Sequence, residues 1–369
     1  MYVIAKKLFE FGHSVYVYTG DTEKKLRFPF HVEHLASFKS FEKGESGFKL
    51  FIKEIYDALK KHDFDIIFCS NFSSLSAISY LKGLVGGKVI FTFHCVPAKA
   101  QKKVIGYFND WELEQTFAKN IIRHASPSFV VCPSRFFYEW ALRFGVKEGD
   151  SCVINNSVDI IDFQKTISRD ERASWRQKNN IPNDAYVFVT PARMLEKKGI
   201  WDLVQTVRKV EPRAFFLIVS STEKANQIFK EKIDSYVNEK GLLDKVRIIY
   251  DSYNVTDMPR LYKMCDTFLL PSHFEGIPVS IIEAMASRIP VVCSDILPIK
   301  EIASNGFNCL TFKVRNIGDL ARTINKAINL TPTERKQLVD NAYQTVVKRF
   351  DADKTVKSLE KLFIRITKK

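Results

Sequence analysis

No run of apolar residues in this chain comes near the roughly 20 that a membrane-spanning helix needs. The first residues do not form the apolar core of a secretory leader, because Lys6, Lys7 and Glu10 interrupt them. Cysteine is scarce and unpatterned. The seven residues (69, 95, 132, 152, 265, 293 and 309) are odd in number, contain no Cys-x-x-Cys and sit mostly inside apolar strand-like runs. That excludes a disulfide frame or a zinc site and predicts reduced core thiols in a cytoplasmic protein. No helix-turn-helix, zinc-finger or ribonucleoprotein motif occurs, so nothing in the sequence supports a nucleic-acid partner. Low-complexity segments and short repeats are also missing.

What is present is a globular composition, with 46% apolar and 27% charged residues in a chain of 369, long enough for about two domains. The formal net charge of +14 calls for a reason. Lysines are spread along the chain, often beside glutamates, as on a solvated surface. A membrane surface or a polyanionic substrate is the other reading of that charge. The stretch PAKAQKKVIGYFNDW mixes lysines with aromatics and fits either peripheral membrane contact or an ordinary amphipathic helix.

Helix and strand signals alternate almost throughout, which predicts an α/β protein with parallel sheets. Helices are expected over 2–11, 48–61, 111–124, 135–144, 200–210 and 258–265, and strands over 14–19, 65–70, 88–94, 129–134, 214–221 and 245–250. Ser168 with Glu171, and Thr331 with Pro332 and Glu334, read as helix-opening capping boxes. A last amphipathic, lysine-rich helix is expected over 352–366. Residues 155–163, rich in Asn and Ser, read as a connection between domains.

The most informative stretch is FLLPSHFEGIPVSIIEAMASRIPVVCS, residues 268–294. Glu275 and Glu283 sit eight positions apart between two apolar strands, in a tight loop and a short apolar helix from Ser280 to Ala286. A strand–loop–helix–strand unit sets a helix N-terminus beside the C-terminal edge of a parallel sheet. Ligands bind there in open α/β folds, and anions in particular. This stretch resembles the E-x7-E element of retaining glycosyltransferases of the GT-B fold, in glycosyltransferase family 4. The shared features are the Pro-Ser before the loop, the E-G-x-P turn, the E-A-M-A helix and the Pro-Val-Val strand.

A second element, PARMLEKKG, matches that family through Arg193, Lys198 and Gly199. Transfer from a nucleotide-sugar expels a nucleoside diphosphate, and fixed cations near the developing charge lower the barrier. The resemblance implies that Arg193 and Lys198 bind the donor diphosphate. It implies that Glu283 holds the ribose hydroxyls, and that Gly276, Ile277 and Pro278 present amides and a helix start to the donor. It places Glu275 at the transferred sugar and His94, at a strand end, on the acceptor side of the cleft, as the catalytic pair. His273 is a weaker candidate. Asn156, Val158 and Asp159 resemble the family's hinge, and residues 313–320 the loop before its penultimate helix. No Asp-x-Asp motif ends a strand, so neither metal nor other cofactor is implied.

Three departures stand out. The family opens with a strand and a Gly-Gly loop ahead of the helix that begins this chain, so the first strand of the N-domain is expected to be missing. The hinge glycine is Ser157, tolerable where φ is negative. Ser220 and Ser221 stand where the family has glycine.

The resemblance therefore implies a GT-B protein of two Rossmann-like domains facing a central cleft. Residues 1–159 are the acceptor-binding domain, 160–345 the nucleotide-sugar domain, and 346–369 a helix returning to the first. The expected activity is retaining, hexosyl-type transfer from a UDP- or GDP-sugar to a saccharide or lipid-linked acceptor, in cell-surface polysaccharide or glycolipid synthesis. Its expected place is the cytoplasm or the inner face of the membrane. The alternative is a non-catalytic or truncated form that binds a partner or nucleotide-sugar without turnover. A decayed site need not keep Arg193, Lys198, Glu275 and Glu283 together, which argues against that alternative.

Overall fold

The computed structural model describes residues 1–20, 28–37, 45–92, 111–220, 227–250, 253 and 256–368. His94, Cys95, Ser221 and most of the aromatic–lysine stretch lie outside the described residues. The chain divides into two compact units. The first runs to Ser157 and takes back the chain from Ala352 onward; the second is Val158–Asp351.

The first unit holds β1 (Tyr16–Thr19), β2 (His31–His34), β3 (Ile66–Cys69), β4 (Lys88–Thr92), β5 (Phe129–Cys132) and β6 (Ser151–Val153). They form two separate parallel sheets, β1–β2 and β3–β4–β5–β6. Tyr16 and Tyr18 of β1 meet Phe64, just ahead of β3, at ring-centroid distances of 5.5 and 6.4 Å. Among the described residues no ladder bond joins β1 to β3. Every residue of β1 is only half-buried. The C-terminal helix Ala352–Thr367 lays Leu359, Leu362 and Ile366 on Ile90, Phe129 and Val131 of the larger sheet. Its apolar face is what the amphipathic spacing predicts.

The second unit is a six-stranded parallel sheet with β7 (Tyr186–Pro191), β8 (Ala214–Ser220), β9 (Val246–Tyr250), β10 (Thr267–Leu270), β11 (Val291–Ser294) and β12 (Leu310–Phe312). The strand order is β12–β11–β10–β7–β8–β9. The chain thus winds outward from β7 on one side, then returns to β10 on the other. The reversal between β7 and β10 is a topological switch point, where the loops leaving the two strands diverge and open a crevice. All residues of β8, β10 and β11 are buried, as strands covered on both faces must be.

Local chemistry sets the ends of these elements. The capping box at Thr331 and Glu334 forms with both arms and opens the helix Pro332–Arg349. At Ser168 only one arm forms: Ser168 Oγ accepts from Glu171 N, while the Glu171 carboxylate pairs with Arg260 at 2.7 Å instead. The helix expected over 200–210 ends at Thr206 and tightens into a 3-10 turn, Val207–Lys209.

Asp266, just before β10, gathers the base of this unit. Its carboxylate accepts from Arg172 (2.6 Å), from Arg176 (2.9 Å) and from the Val187 amide (2.8 Å), and Arg335 donates to its carbonyl oxygen at 2.6 Å. Removing the shared acceptor strands two arginines in a largely buried place. Asp266→Ala is expected to cost about 3 kcal/mol of unfolding free energy in urea titration; a loss under about 1 kcal/mol would show that the network is solvated and weak.

Candidate active site

The loop after β7 and the loop after β10 leave neighbouring strands at the switch point, and four contacts join them. Gly199, in the left-handed region at φ +66°, lies so close to the second loop that a Cβ there would fall 1.9 Å from the Pro271 carbonyl oxygen. The His273 amide donates to Lys197 O at 2.8 Å. The His273 ring Nε2 and Asp202 Oδ2 stand 2.7 Å apart. Lys198 Nζ donates to Glu275 Oε1 at 2.6 Å. Only glycine permits both the backbone conformation and the approach at position 199.

Glu275 is held from two sides, since Ser272 Oγ also donates to its Oε1 at 2.6 Å. Ser272 is itself fixed: it is fully buried, and its carbonyl accepts from Ser294 Oγ across to β11. The carboxylate and the ammonium are both largely enclosed, at 11% and 17% side-chain exposure, so the pair is stronger than one on an open surface. Oε2 of Glu275 has no protein partner among the described residues.

The amides of Gly276 and Ile277 donate to no acceptor among the described residues. They precede the helix Val279–Ala286, whose N-cap is Pro278 and which has no side-chain cap. The structure therefore leaves backbone donors free at a helix start, the arrangement that receives anions. Arg193 is exposed on the facing loop and pairs with no acid among the described residues. Glu283 sits on the second turn of the helix. Tyr262, from the helix Met258–Met264, donates its hydroxyl to Glu283 Oε2 at 2.8 Å. Burial pushes the Glu283 carboxyl above its ordinary range, and the Tyr262 bond pulls it partly back.

Of the residues expected to act together, Arg193, Lys198, Glu275, Gly276, Ile277, Pro278 and Glu283 all lie on the two loops and the helix of the switch point. His94 lies outside the described residues. Sequence reasoning gave no role to Ser272, Asp202 or Tyr262. Ser272 was within reach, as the serine of the Pro-Ser step; nothing in the spacing marks the other two. Ser157 is not in the left-handed region, so serine replaces glycine there without backbone strain. Ser220, at the end of β8, is buried.

Two parallel α/β units, the second with a sheet that reverses its winding between β7 and β10, are the architecture of the GT-B fold. Two family profiles match, "Glycosyl transferases group 1" over residues 171–345 and "Glycosyltransferase Family 4" over residues 1–161, between them nearly the whole chain. The chain belongs to this glycosyltransferase family.

Among its relatives are a putative teichuronic acid biosynthesis glycosyltransferase, TuaC, of Bacillus subtilis, 25% identical over 59% of this chain and 52% of that protein. Another is the N,N'-diacetylbacillosaminyl-diphospho-undecaprenol alpha-1,3-N-acetylgalactosaminyltransferase of Campylobacter jejuni, 25% identical over 69% of this chain and 68% of that one. The aligned part thus spans about half the length of the first relative and about two-thirds of the second. The crystal structure of Anabaena Alr3699/HepE in complex with UDP-glucose shares the fold, with a TM-score of 0.82 at 17% identity over 99% of this chain and 94% of that one.

Two outcomes follow from this geometry. Gly199→Ala is expected to lose about 3 kcal/mol in urea unfolding, from backbone strain and the clash with Pro271; an unchanged midpoint would mean that the two loops are not in contact. Glu283→Gln removes a charge that burial disfavours. A raised carboxyl pKa in the folded state means that stability is lost as pH rises above the ordinary glutamate range. The variant should therefore melt at or above the wild-type temperature at pH 8, with the advantage gone near pH 4. A variant that melts lower at pH 8 than at pH 4, relative to wild type, contradicts the assignment.

Proposed function

We propose that this chain is a retaining glycosyltransferase that moves a sugar from a UDP- or GDP-sugar to a saccharide or lipid-linked acceptor, without a metal. One observation carries the reading: two cations, two carboxylates and a set of free backbone donors lie on the two loops and the helix at the reversal of one parallel sheet. A nucleoside diphosphate satisfies each of these groups. Its phosphates take the Arg193 guanidinium, the Lys198 ammonium and the Gly276 and Ile277 amides. The ribose diol takes the free oxygen of Glu283.

When the bond from the sugar to the diphosphate breaks, charge grows on the leaving oxygen. Arg193 and Lys198 stabilise it there without having to move far. Glu275 contacts hydroxyls of the transferred sugar. The departing phosphate helps to take the acceptor's proton on the same face, which retains the configuration. The first unit, residues 1–159 in the sequence reading, binds the acceptor and carries His94. A lipid-linked acceptor gives the +14 charge a purpose at an anionic inner membrane surface. The names of the Campylobacter relative, a transferase acting on N,N'-diacetylbacillosaminyl-diphospho-undecaprenol, and of the Bacillus relative, a putative teichuronic acid biosynthesis glycosyltransferase, support this substrate class. No described helix is long and apolar enough to cross a membrane.

A second reading rests on the split sheet of the first unit. β1 and β3 each keep one parallel edge unpaired among the described residues. Open parallel edges weaken a unit, and a protein built so would bind nucleotide-sugar through residues 158–351 without turnover.

The test is a thermal-shift and hydrolysis screen against UDP-, GDP- and ADP-sugars, with and without EDTA. Stabilisation by one nucleotide, unchanged by EDTA and absent in Glu283→Ala, is the expected result; no shift with any of them contradicts the donor site. Arg193→Ala is expected to lower kcat/KM by about 10²-fold with the melting temperature unchanged, because its side chain is exposed and unpaired. Nucleotide binding without hydrolysis or transfer favours the second reading.

A further inference from the structure

Tyr262 is completely buried, a rare place for a phenol unless its hydroxyl is satisfied. Its ring packs edge-on against Phe268 of β10, centroids 5.9 Å apart, and lies 6.5 Å from Phe163 of the turn Ile160–Phe163. Packed between these rings and fully buried, the side chain holds its hydroxyl oxygen at one point. There it donates to Glu283 Oε2 at 2.8 Å, its one recorded hydrogen bond. Glu283 Oε1 has no protein partner among the described residues, and the Glu283 side chain remains partly accessible.

Resting on the reading that Glu283 receives the donor nucleotide, we propose that Tyr262 is a positioning residue. It occupies one carboxylate oxygen so that the other is presented, in a fixed orientation, to a vicinal cis-diol of the ribose. Two hydroxyls on adjacent carbons need an acceptor at a set angle. A carboxylate free to rotate would meet them only part of the time, whereas one pinned at Oε2 meets them on arrival. Tyr262 thereby makes the site selective for ribonucleotides over nucleotides that lack the diol.

A purely packing role for Tyr262 predicts a different pattern. Loss of the hydroxyl would then lower stability, and with it the affinity for every nucleotide equally. The two roles separate by calorimetric titration of the full chain with UDP and GDP and with their 2′,3′-dideoxy counterparts. The ratio of the two affinities is the readout, and melting temperature monitors folding. Wild type is expected to prefer the diol by about tenfold or more, as one or two hydrogen bonds to a carboxylate would give. Tyr262→Phe should cut that preference several-fold while leaving the dideoxy affinity unchanged.

Glu283→Gln gives an independent check that does not disturb Tyr262. A neutral amide binds the diol more weakly than a carboxylate in either orientation, so the preference is expected to fall several-fold with the fold intact. A Tyr262→Phe protein that keeps the wild-type ratio, while Glu283→Ala loses it, overturns the role of Tyr262 and leaves the donor reading standing. A Glu283→Ala protein that keeps the wild-type ratio, or a wild type that binds none of the four nucleotides, overturns the donor reading itself.

Discussion

Two loops leaving adjacent parallel strands must touch for this site to exist, and the contact is the backbone of Gly199 against the backbone of Pro271. A sheet that reverses its winding direction between β7 and β10 opens a crevice, but by itself the crevice would be a wide gap lined by mobile ends. The glycine draws the gap in until Lys198 reaches Glu275 and the His273 ring reaches Asp202. Every polar contact between the two loops follows from that approach. Beneath it, Asp266 and its arginines secure the opposite end of the same two strands, so the crevice is held from both ends of β7 and β10.

The electrostatics of the site are half complete. Lys198 and Ser272 satisfy one oxygen of Glu275, and Tyr262 satisfies one oxygen of Glu283. The remaining oxygen of each carboxylate, the amides of Gly276 and Ile277, and the Arg193 guanidinium are left without protein partners among the described residues. Partly enclosed groups with spare hydrogen-bonding capacity are costly in a core built only for stability. Here they lie on two loops and one helix: backbone donors just ahead of the helix Val279–Ala286, Arg193 on the loop after β7, and the two carboxylates on the loop after β10 and on the helix. A nucleoside diphosphate joined to a sugar carries the complementary groups, anionic phosphates between two hydroxyl-rich ends. Burial of Glu283, which raises its carboxyl pKa, adds to the cost.

Much of this was legible in the sequence because it is local. The strand–loop–helix–strand unit around Glu275 and Glu283 occupies consecutive residues. Its short apolar helix is found at Val279–Ala286, one residue earlier than read. The chain of alternating strands and helices announces parallel sheets for the same reason. What the sequence hid is tertiary. Tyr262 and Glu283 are 21 positions apart and Asp202 and His273 are 71, with no periodicity to connect them. The strand order, which makes β7 the neighbour of β10, cannot be read from spacing, and without it the crevice has no location. The second arm at Ser168 was lost to a competitor, Arg260, that propensity does not see. The helix from Ile200 shortened where the chain turns to enter β8. His94, which a resemblance alone brought into the site, stays outside the described residues.

The most direct test of the central claim, that the crevice between β7 and β10 receives a nucleoside diphosphate, is amide hydrogen exchange of the full chain with and without saturating UDP or GDP. The account predicts slowed exchange in two short segments, 193–199 and 275–283, with the Gly276 and Ile277 amides among those protected. Nucleotide binding shown by calorimetry, with exchange in both segments unchanged, would place the ligand elsewhere and contradict it.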